Sequence, residues 1–231
     1  MRPLCVIPAR RGSKRLPLKN LLLLHGRPML AYSVEAALES RLFDRVYVSS
    51  EDEEILTVAQ RAGATPHHRP EALAGDLVSA TDVCLELEQV LASRGEVFDA
   101  IVCLQPSSPL RSVEDIRGSW DRFMASGADY LVSVTPIDPH DFHWAVHETP
   151  DGWAMYFGTQ FLKERPLLPP VFRPNGSIKI GKTNSLRATR NFFGNPLTVY
   201  VTPEARSLHV ATECDFRIAE CLLASIRQPC R

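Results

Sequence analysis

Short apolar runs alternate along the chain with longer stretches in which apolar residues recur every three or four positions. The runs predict strands at residues 4–7, 46–48, 65–68, 100–104, 130–134, 177–180 and 197–201. The periodic stretches between them predict helices. Because strands and helices alternate, the pattern favours an α/β fold with a mostly parallel sheet and helices on both faces.

Four predicted helix starts carry a serine or threonine followed three residues later by an acid, the pair in which each side chain caps the other's backbone. The pairs are Ser50 with Glu53, Ser79 with Asp82, Ser112 with Asp115, and Thr212 with Asp215. The last pair opens a closing helix over residues 212–226. On this interpretation the acids at 51–54 complement the positive end of a helix rather than bind a metal.

The regular pattern weakens between residues 138 and 173, where proline and aromatic residues accumulate. The aromatic and imidazole side chains of this segment are His140, His143, Trp144, Trp153, Tyr156 and Phe157. We therefore expect a single domain over residues 1–231, in which residues 138–173 leave the main sheet as an excursion. Exposed aromatics there would form a partner surface.

The composition is that of an ordinary globular chain, with 231 residues, of which 45% are hydrophobic. A net charge of −1 gives no support for binding to nucleic acid or to a membrane surface. The six cysteines form no Cys-x-x-Cys pair, and the N-terminal apolar run is too short for a signal peptide or a membrane span. We expect a cytoplasmic protein without nucleic-acid or membrane partners.

Positive charge concentrates directly after the first predicted strand. The five cations there are Arg10, Arg11, Lys14, Arg15 and Lys19, with Gly12 and Ser13 among them. A strand that breaks into such a loop is how many α/β proteins hold phosphates, because amides, a hydroxyl and cations converge at the strand's carboxyl end. The alternative is a solvated basic loop. Neither the Walker A spacing nor Gly-x-Gly-x-x-Gly is present.

A second polar loop, residues 105–111, follows the apolar run 100–104 and contains two prolines. It predicts a stiff loop at a strand's carboxyl end, where α/β sheets place their sites.

Four stretches in order carry a family resemblance. They read IPARRGSKRLPLKN (7–20), RPEALAGD (69–76), LQPSSPLR (104–111) and FRPNG (172–176). Together they resemble the acylneuraminate cytidylyltransferases, the CMP-sialic acid synthetases. The resemblance implies a Rossmann-like fold of the nucleotide-diphospho-sugar transferase type, in which the excursion 138–173 makes a homodimer and contributes to acceptor binding.

The resemblance also implies a reaction. A hydroxyl of a nonulosonic α-keto acid sugar attacks the α-phosphorus of CTP, with Mg²⁺ as cofactor, and pyrophosphate leaves. Arg10 and Lys14 are the expected catalytic groups, since they would neutralise the triphosphate and the leaving pyrophosphate. The expected nucleotide-binding residues are Arg10, Gly12, Ser13, Lys14, Lys19, Asn20 and Arg69. The expected acceptor-binding residues are Gln105, Arg165, Asn175, Lys179, Phe192 and Phe193.

The chain departs from the family pattern near its C-terminus. The family carries Asp-x-Asp-Thr-Glu there and binds its metal with the two aspartates, whereas this chain has His209 and Ala211 at those positions. Imidazole is a poor ligand for Mg²⁺, so the metal ligands stay unassigned. Lys179 stands where a tyrosine is usual and Arg15 where a glycine is usual, which adds two cations near the expected acceptor site.

Three hypotheses follow. The first is a working CTP transferase whose Mg²⁺ is held mainly by the triphosphate and whose acceptor is a nonulosonic or related acid. The second is a cytidylyltransferase for another anionic acceptor such as a phosphonate, which the two added cations suggest. The third is a non-catalytic CTP-binding homologue, which the missing aspartates suggest.

Overall fold

A computed structural model describes residues 1–227, and seven of its eleven strands overlap the predicted apolar runs. The strands are β1 (Pro3–Pro8), β2 (Leu23–Leu24), β3 (Arg27–Pro28), β4 (Val46–Ser50), β5 (Thr65–His68), β6 (Ala100–Leu104), β7 (Tyr130–Ile137), β8 (Val146–Thr149), β9 (Gly152–Met155), β10 (Val171–Lys182) and β11 (Leu197–Val201). The end of the predicted domain, including Cys230, lies outside the described residues.

Seven helices join these strands. They are α1 (Met29–Ser40), α2 (Glu53–Arg61), α3 (Ala80–Ala92), α4 (Val113–Ser126), α5 (Pro139–His143), α6 (Thr183–Thr189) and α7 (Glu213–Arg227). Short 3-10 turns occur at Lys19–Leu21, Glu71–Leu73, Gly158–Leu162, Arg165–Leu167 and Glu204–Arg206. Within the described part of the chain, every helix is too short or too polar to span a bilayer.

The main sheet has seven strands in the order β11-β7-β10-β6-β1-β4-β5. All neighbouring pairs are parallel except those of β10, which runs antiparallel to both β6 and β7. The mostly parallel sheet is therefore confirmed. Because β10 is reversed, its first half lies at the same edge as the carboxyl ends of β1 and β6, beside the loops that follow those strands.

Helices cover both faces, as predicted, because the strands present apolar residues on both sides. On one face, Cys5 and Ile7 of β1 pack in a buried cluster with residues of α1, α2 and α4. On the other face, Leu4 and Val6 of β1 pack with residues of α3 and α6. This alternation along one strand fixes the sheet between two helical layers.

Strand β10 is longer than the prediction of 177–180, and the short helix α6 after it was not predicted. Its pairing with β7 shifts register between Pro174 and Lys179, and Gly176 has a φ of 73°. A proline and a left-handed glycine interrupt the apolar pattern, so the sequence underestimates the length of β10. Pairing with β6 on one side and β7 on the other extends the strand.

The predicted cap of α2 is wrong by two residues. Ser50 still belongs to β4, and Asp52 caps the helix by accepting a hydrogen bond from the Ile55 amide at 2.9 Å. The Ser79–Asp82 and Ser112–Asp115 capping boxes are confirmed.

The excursion leaves the main sheet after β7 but returns to it at Val171, where β10 pairs with β7, so it ends before the predicted limit at residue 173. It contains α5, a separate two-stranded sheet of β8 and β9, and 3-10 turns. Phe142 stacks on Phe157 with ring centroids 4.3 Å apart, while Trp153 is 73% exposed. The structure gives the excursion a small aromatic core and an exposed aromatic surface, and its role in dimerisation stays a prediction.

Candidate active site

A cavity of about 560 Å³ opens at the carboxyl ends of β1, β5 and β6. Both loops singled out in the sequence line it. Seven of the predicted site residues contribute to its wall, namely Arg10, Ser13, Lys14, Lys19, Asn20, Arg69 and Gln105. The sheet topology explains this convergence, since parallel strands bring the loops after their carboxyl ends to one edge.

Arg10 and Lys14 lie in this cavity and share one carboxylate. Arg10 Nη1 is 3.1 Å from Asp76 Oδ1, and Lys14 Nζ is 2.5 Å from Asp76 Oδ2. The hydrogen bond and the charge of Lys14, together with the charge of Arg10, lower the pKa of Asp76 below its usual value. Asp76 thus balances the two cations, and an incoming phosphate would compete with it for both.

Lys19 and Asn20 line the inner part of the cavity. Lys19 Nζ donates to the Val210 carbonyl at 3.1 Å, and burial, with the charges of Arg15 and Arg10, lowers the pKa of Lys19. Asn20 Nδ2 donates to the Arg10 carbonyl at 2.9 Å. This bond fixes the conformation of residues 10–19, the cationic loop. The Oδ1 of Asn20 is buried and has no hydrogen-bond partner among the described residues.

Arg69 is 2% exposed and is held by Glu51, a residue that the sequence did not single out for the site. Their closest atoms, Arg69 Nη2 and Glu51 Oε2, are 2.7 Å apart. The other oxygen of Glu51 accepts a hydrogen bond from the Arg11 amide at 2.7 Å. The carboxylate therefore joins the cationic loop to the end of β5. The expectation that the acids 51–54 serve the helix terminus is wrong for this residue, because it faces a buried guanidinium instead.

A buried arginine, Arg111, holds the loop after β6 in place. Arg111 Nη1 donates to the carbonyls of Gln105 at 3.2 Å and Ser177 at 2.8 Å. Burial lowers the pKa of Arg111 to about 10. Its contacts hold Gln105 at the cavity wall beside β10.

The same loop meets the segment 209–211. Ser107 lines the cavity, its Oγ lies 3.1 Å from His209 Nδ1, and its carbonyl accepts a hydrogen bond from the Val210 amide at 2.8 Å. Ala211 also lines the cavity. Nothing in the local sequence links residues 107 and 209, so sequence reasoning missed this contact.

Residues 4–149 match the family model described as cytidylyltransferase. The chain belongs to the cytidylyltransferase family. Members of this family are CTP-dependent nucleotidyltransferases, and the chain is therefore an enzyme of that class. The expectation drawn from the four sequence stretches is confirmed.

Similar curated proteins include a pseudaminic acid cytidylyltransferase of Campylobacter jejuni, 30% identical over 224 residues, with 96% of each chain covered. Another is a CMP-N,N'-diacetyllegionaminic acid synthase of Legionella pneumophila, 31% identical, with 96% of this chain and 97% of that protein covered. Among solved structures, a CMP:2-keto-3-deoxy-manno-octonic acid synthetase complexed with CTP matches with a TM-score of 0.73 and 17% identity, covering 98% of this chain and all of that one. This last likeness confirms the Rossmann-like fold.

Other residues predicted for the site of this cytidylyltransferase lie outside the cavity wall. Gly12 is exposed on the cationic loop. Asn175 is 4% exposed, and its amide is already bonded to Ser133, Ser177, Thr202 and Ser207. The structure thus gives Asn175 a role in joining β7, β10 and the segment after β11.

The remaining acceptor candidates are dispersed. Arg165 lies in the excursion and pairs with Asp138. Phe192 is 1% exposed and belongs to the core on one face of the sheet, whereas Phe193 is 47% exposed, with Lys179 Nζ 5.8 Å from its ring centroid. Within one chain, these residues do not form a single pocket with the cationic loop, and their acceptor role stays a prediction.

The side chains present do not fit a protein-held Mg²⁺ at positions 209 and 211. Across residues 1–227, His, Cys, Asp and Glu form no group of three that could hold a metal ion. The nearby carboxylates are already used: Asp76 pairs with two cations, and Asp215 accepts hydrogen bonds from the amides of Ala211 at 2.9 Å and Thr212 at 2.8 Å. Burial alone would raise the pKa of Asp215, but these bonds lower it overall. The environment is cationic, and a hard divalent ion favours several oxygen ligands.

Proposed function

We propose that this cytidylyltransferase transfers CMP from CTP to a hydroxyl of a nonulosonic α-keto acid sugar and releases pyrophosphate. The observation that carries the proposal is the convergence of Arg10, Lys14, Lys19 and Ser13 in one cavity that Gln105 also borders. The names of the two curated relatives support the acceptor class, since pseudaminic and diacetyllegionaminic acids are both sugars of this kind.

The cations are suited to the triphosphate. As the α-phosphorus is attacked, negative charge grows on the leaving pyrophosphate, and preplaced cations in a partly enclosed cavity stabilise it. Arg10 and Lys14 would exchange Asp76 for phosphate oxygens. Such catalysis is mostly positioning and charge stabilisation, so it needs no nucleophilic side chain.

The inner cavity suits the nucleoside. The unpartnered Oδ1 of Asn20 is a hydrogen-bond acceptor for a ribose hydroxyl. Arg69, fixed by its buried carboxylate partner, offers a rigid donor edge to the base. We assign these two residues to ribose and cytosine recognition.

On the acceptor side we place Gln105, which follows β6 and lines the cavity, and Lys179, which lies outside the cavity wall and pairs with Cys103 from the neighbouring strand β10. A cation there would bind the carboxylate of the sugar acid. Since the donor set does not fit a protein-held metal, any Mg²⁺ in the reaction is expected to arrive coordinated by the phosphate oxygens of CTP.

The decisive experiment measures pyrophosphate release from CTP with pseudaminic, N,N'-diacetyllegionaminic and N-acetylneuraminic acids in separate reactions, with the product mass read for each. We expect release with at least one acid, and much slower release when UTP, ATP or GTP replaces CTP. Absence of pyrophosphate with every acid would refute the proposal.

Two alternatives have their own supporting observations. The added cations Arg15 and Lys179 favour an acceptor with more negative charge, such as a phosphonate, and a CMP-phosphonate product mass would identify it. His209 and Ala211 in place of metal-binding aspartates favour a non-catalytic CTP-binding homologue. That alternative predicts thermal stabilisation by CTP without turnover for any acceptor.

We also propose a homodimer formed through the excursion 138–173. Trp153 is 73% exposed and Tyr156 is 64% exposed. Exposing such large apolar side chains to water is unfavourable unless a partner covers them. Sedimentation of the unmodified chain should give a dimer, and Trp153→Ser should shift it toward monomer. A monomer at all concentrations would refute this assembly.

A further inference from the structure

His209 lies where the nucleotide cavity meets strand β10. Its Nδ1 is 3.1 Å from the hydroxyl of Ser107, which lines the cavity. The same Nδ1 also lies near Gly176 of β10, where a methyl group added to the backbone would be 3.8 Å from it. The imidazole is therefore close both to the cavity wall and to the strand that carries Lys179.

The groups around His209 come from several elements and most are cationic. Lys19 and Arg15 approach from the cationic loop, Lys179 from β10, and Asp215 from the start of α7. Partial burial, followed by the charges of Lys19 and Arg15, lowers the pKa of His209 below its usual value of 6.5, and the charge of Asp215 opposes this. The ring is therefore neutral at pH 7 and able to accept a proton.

The proposed reaction needs a proton acceptor. A sugar hydroxyl is a weak acid, so it must lose its proton as its oxygen bonds to the α-phosphorus. The cations Arg10, Lys14 and Lys19 of the cavity wall cannot accept a proton in their charged forms. The carboxylate of the cavity wall, Asp76, is paired with Arg10 and Lys14 and has a lowered pKa, which makes it a weak base.

We propose that Ser107 and His209 together accept the proton of the attacking hydroxyl, an inference that rests on the proposed function. As the acceptor oxygen bonds to the α-phosphorus, its proton passes to Ser107 Oγ, whose own proton passes to His209 Nδ1. The bond from the α-phosphorus to the bridging oxygen breaks, and pyrophosphate leaves. The step requires the neutral tautomer with hydrogen on Nε2. His209 remains open to solvent and afterwards releases the proton to water.

The test compares His209→Gln and Ser107→Ala with the unmodified enzyme and with His25→Gln, an exposed histidine in the turn between β2 and β3. The maximal rate of pyrophosphate release is measured from about pH 5.5 to about pH 9, together with CTP affinity by calorimetry. We expect His209→Gln and Ser107→Ala each to bind CTP with unchanged affinity and to lose roughly 100- to 10,000-fold in kcat. The control should match the unmodified enzyme.

The pH profile separates a proton acceptor from a structural residue. The unmodified kcat should fall as the pH drops below the pKa of His209, whereas in His209→Gln the rate should keep rising with pH. Ionisation of CTP itself contributes an acid limb, but that limb persists in every variant. If His209→Gln and Ser107→Ala keep the kcat and the pH profile of the unmodified enzyme, the proposal is overturned while the proposed function stays intact. An unmodified enzyme inactive with every sugar acid would overturn both.

Discussion

Replacing Asn175 with alanine is expected to destabilise the fold rather than to weaken acceptor binding selectively. The Asn175 amide uses all of its groups inside the protein. Its Oδ1 accepts from Ser133 Oγ at 2.6 Å and from the Ser177 amide at 3.1 Å, and its Nδ2 donates to Thr202 Oγ1 at 2.6 Å and Ser207 Oγ at 3.0 Å.

The magnitude follows from what each partner retains. Thr202 and Ser207 keep a hydrogen bond to each other at 2.8 Å, and Ser133 keeps the carbonyl of Ile178 at 3.2 Å. The Ser177 amide loses its hydrogen bond to Asn175, and Ser177 is only 2% exposed. One orphaned buried N–H costs about 1–3 kcal/mol. With the lost packing of the side chain, we expect about 2–4 kcal/mol in the free energy of unfolding.

For a domain of this size, that loss lowers Tm by roughly 5–15 °C. The assay is thermal unfolding followed by circular dichroism, with KM for the acceptor measured well below the Tm of the variant. Asn184→Ala, at an exposed position of α6, is the matched control and should change stability by less than about 0.5 kcal/mol. An Asn175→Ala variant with unchanged Tm and a strongly raised acceptor KM would show that Asn175 contacts the acceptor, and the structural reasoning would be wrong.

Three further predictions concern the cavity. Lys14→Ala should weaken CTP binding more than it raises the acceptor KM, and equal losses in a calorimetric and kinetic comparison would contradict its assignment to the triphosphate. Asp76→Asn should tighten CTP binding, because it frees Arg10 and Lys14, and weaker binding by calorimetry would mean that the carboxylate itself contributes to the nucleotide site. Arg69→Met should cost about 3–5 kcal/mol in urea unfolding, since it removes the guanidinium partner of Glu51, whose side chain is only 9% exposed, and an unchanged midpoint would refute that pairing.

A fourth prediction tests the metal. The double change His209→Asp with Ala211→Asp should make turnover more strongly dependent on Mg²⁺ if the backbone still presents a metal site. A titration showing unchanged metal dependence would place any metal elsewhere.

The sequence by itself determined the main elements and the cationic loop. Strands buried on both faces must be apolar throughout, so runs such as 100–104 were found at their observed limits. Capping boxes were also local enough to predict, because both partners lie within one turn. The concentration of cations after β1 pointed to the cavity that Arg10 and Lys14 line.

The tertiary structure alone decided how distant segments meet. The reversed strand β10, the pairing of Glu51 with Arg69, and the contact between Ser107 and His209 each join residues far apart in the chain. Periodicity and capping report the environment of one segment, whereas these contacts depend on which strands become neighbours and in which direction they run. The composition of a segment does not encode that choice, because it is made by burial and hydrogen bonding across the whole sheet.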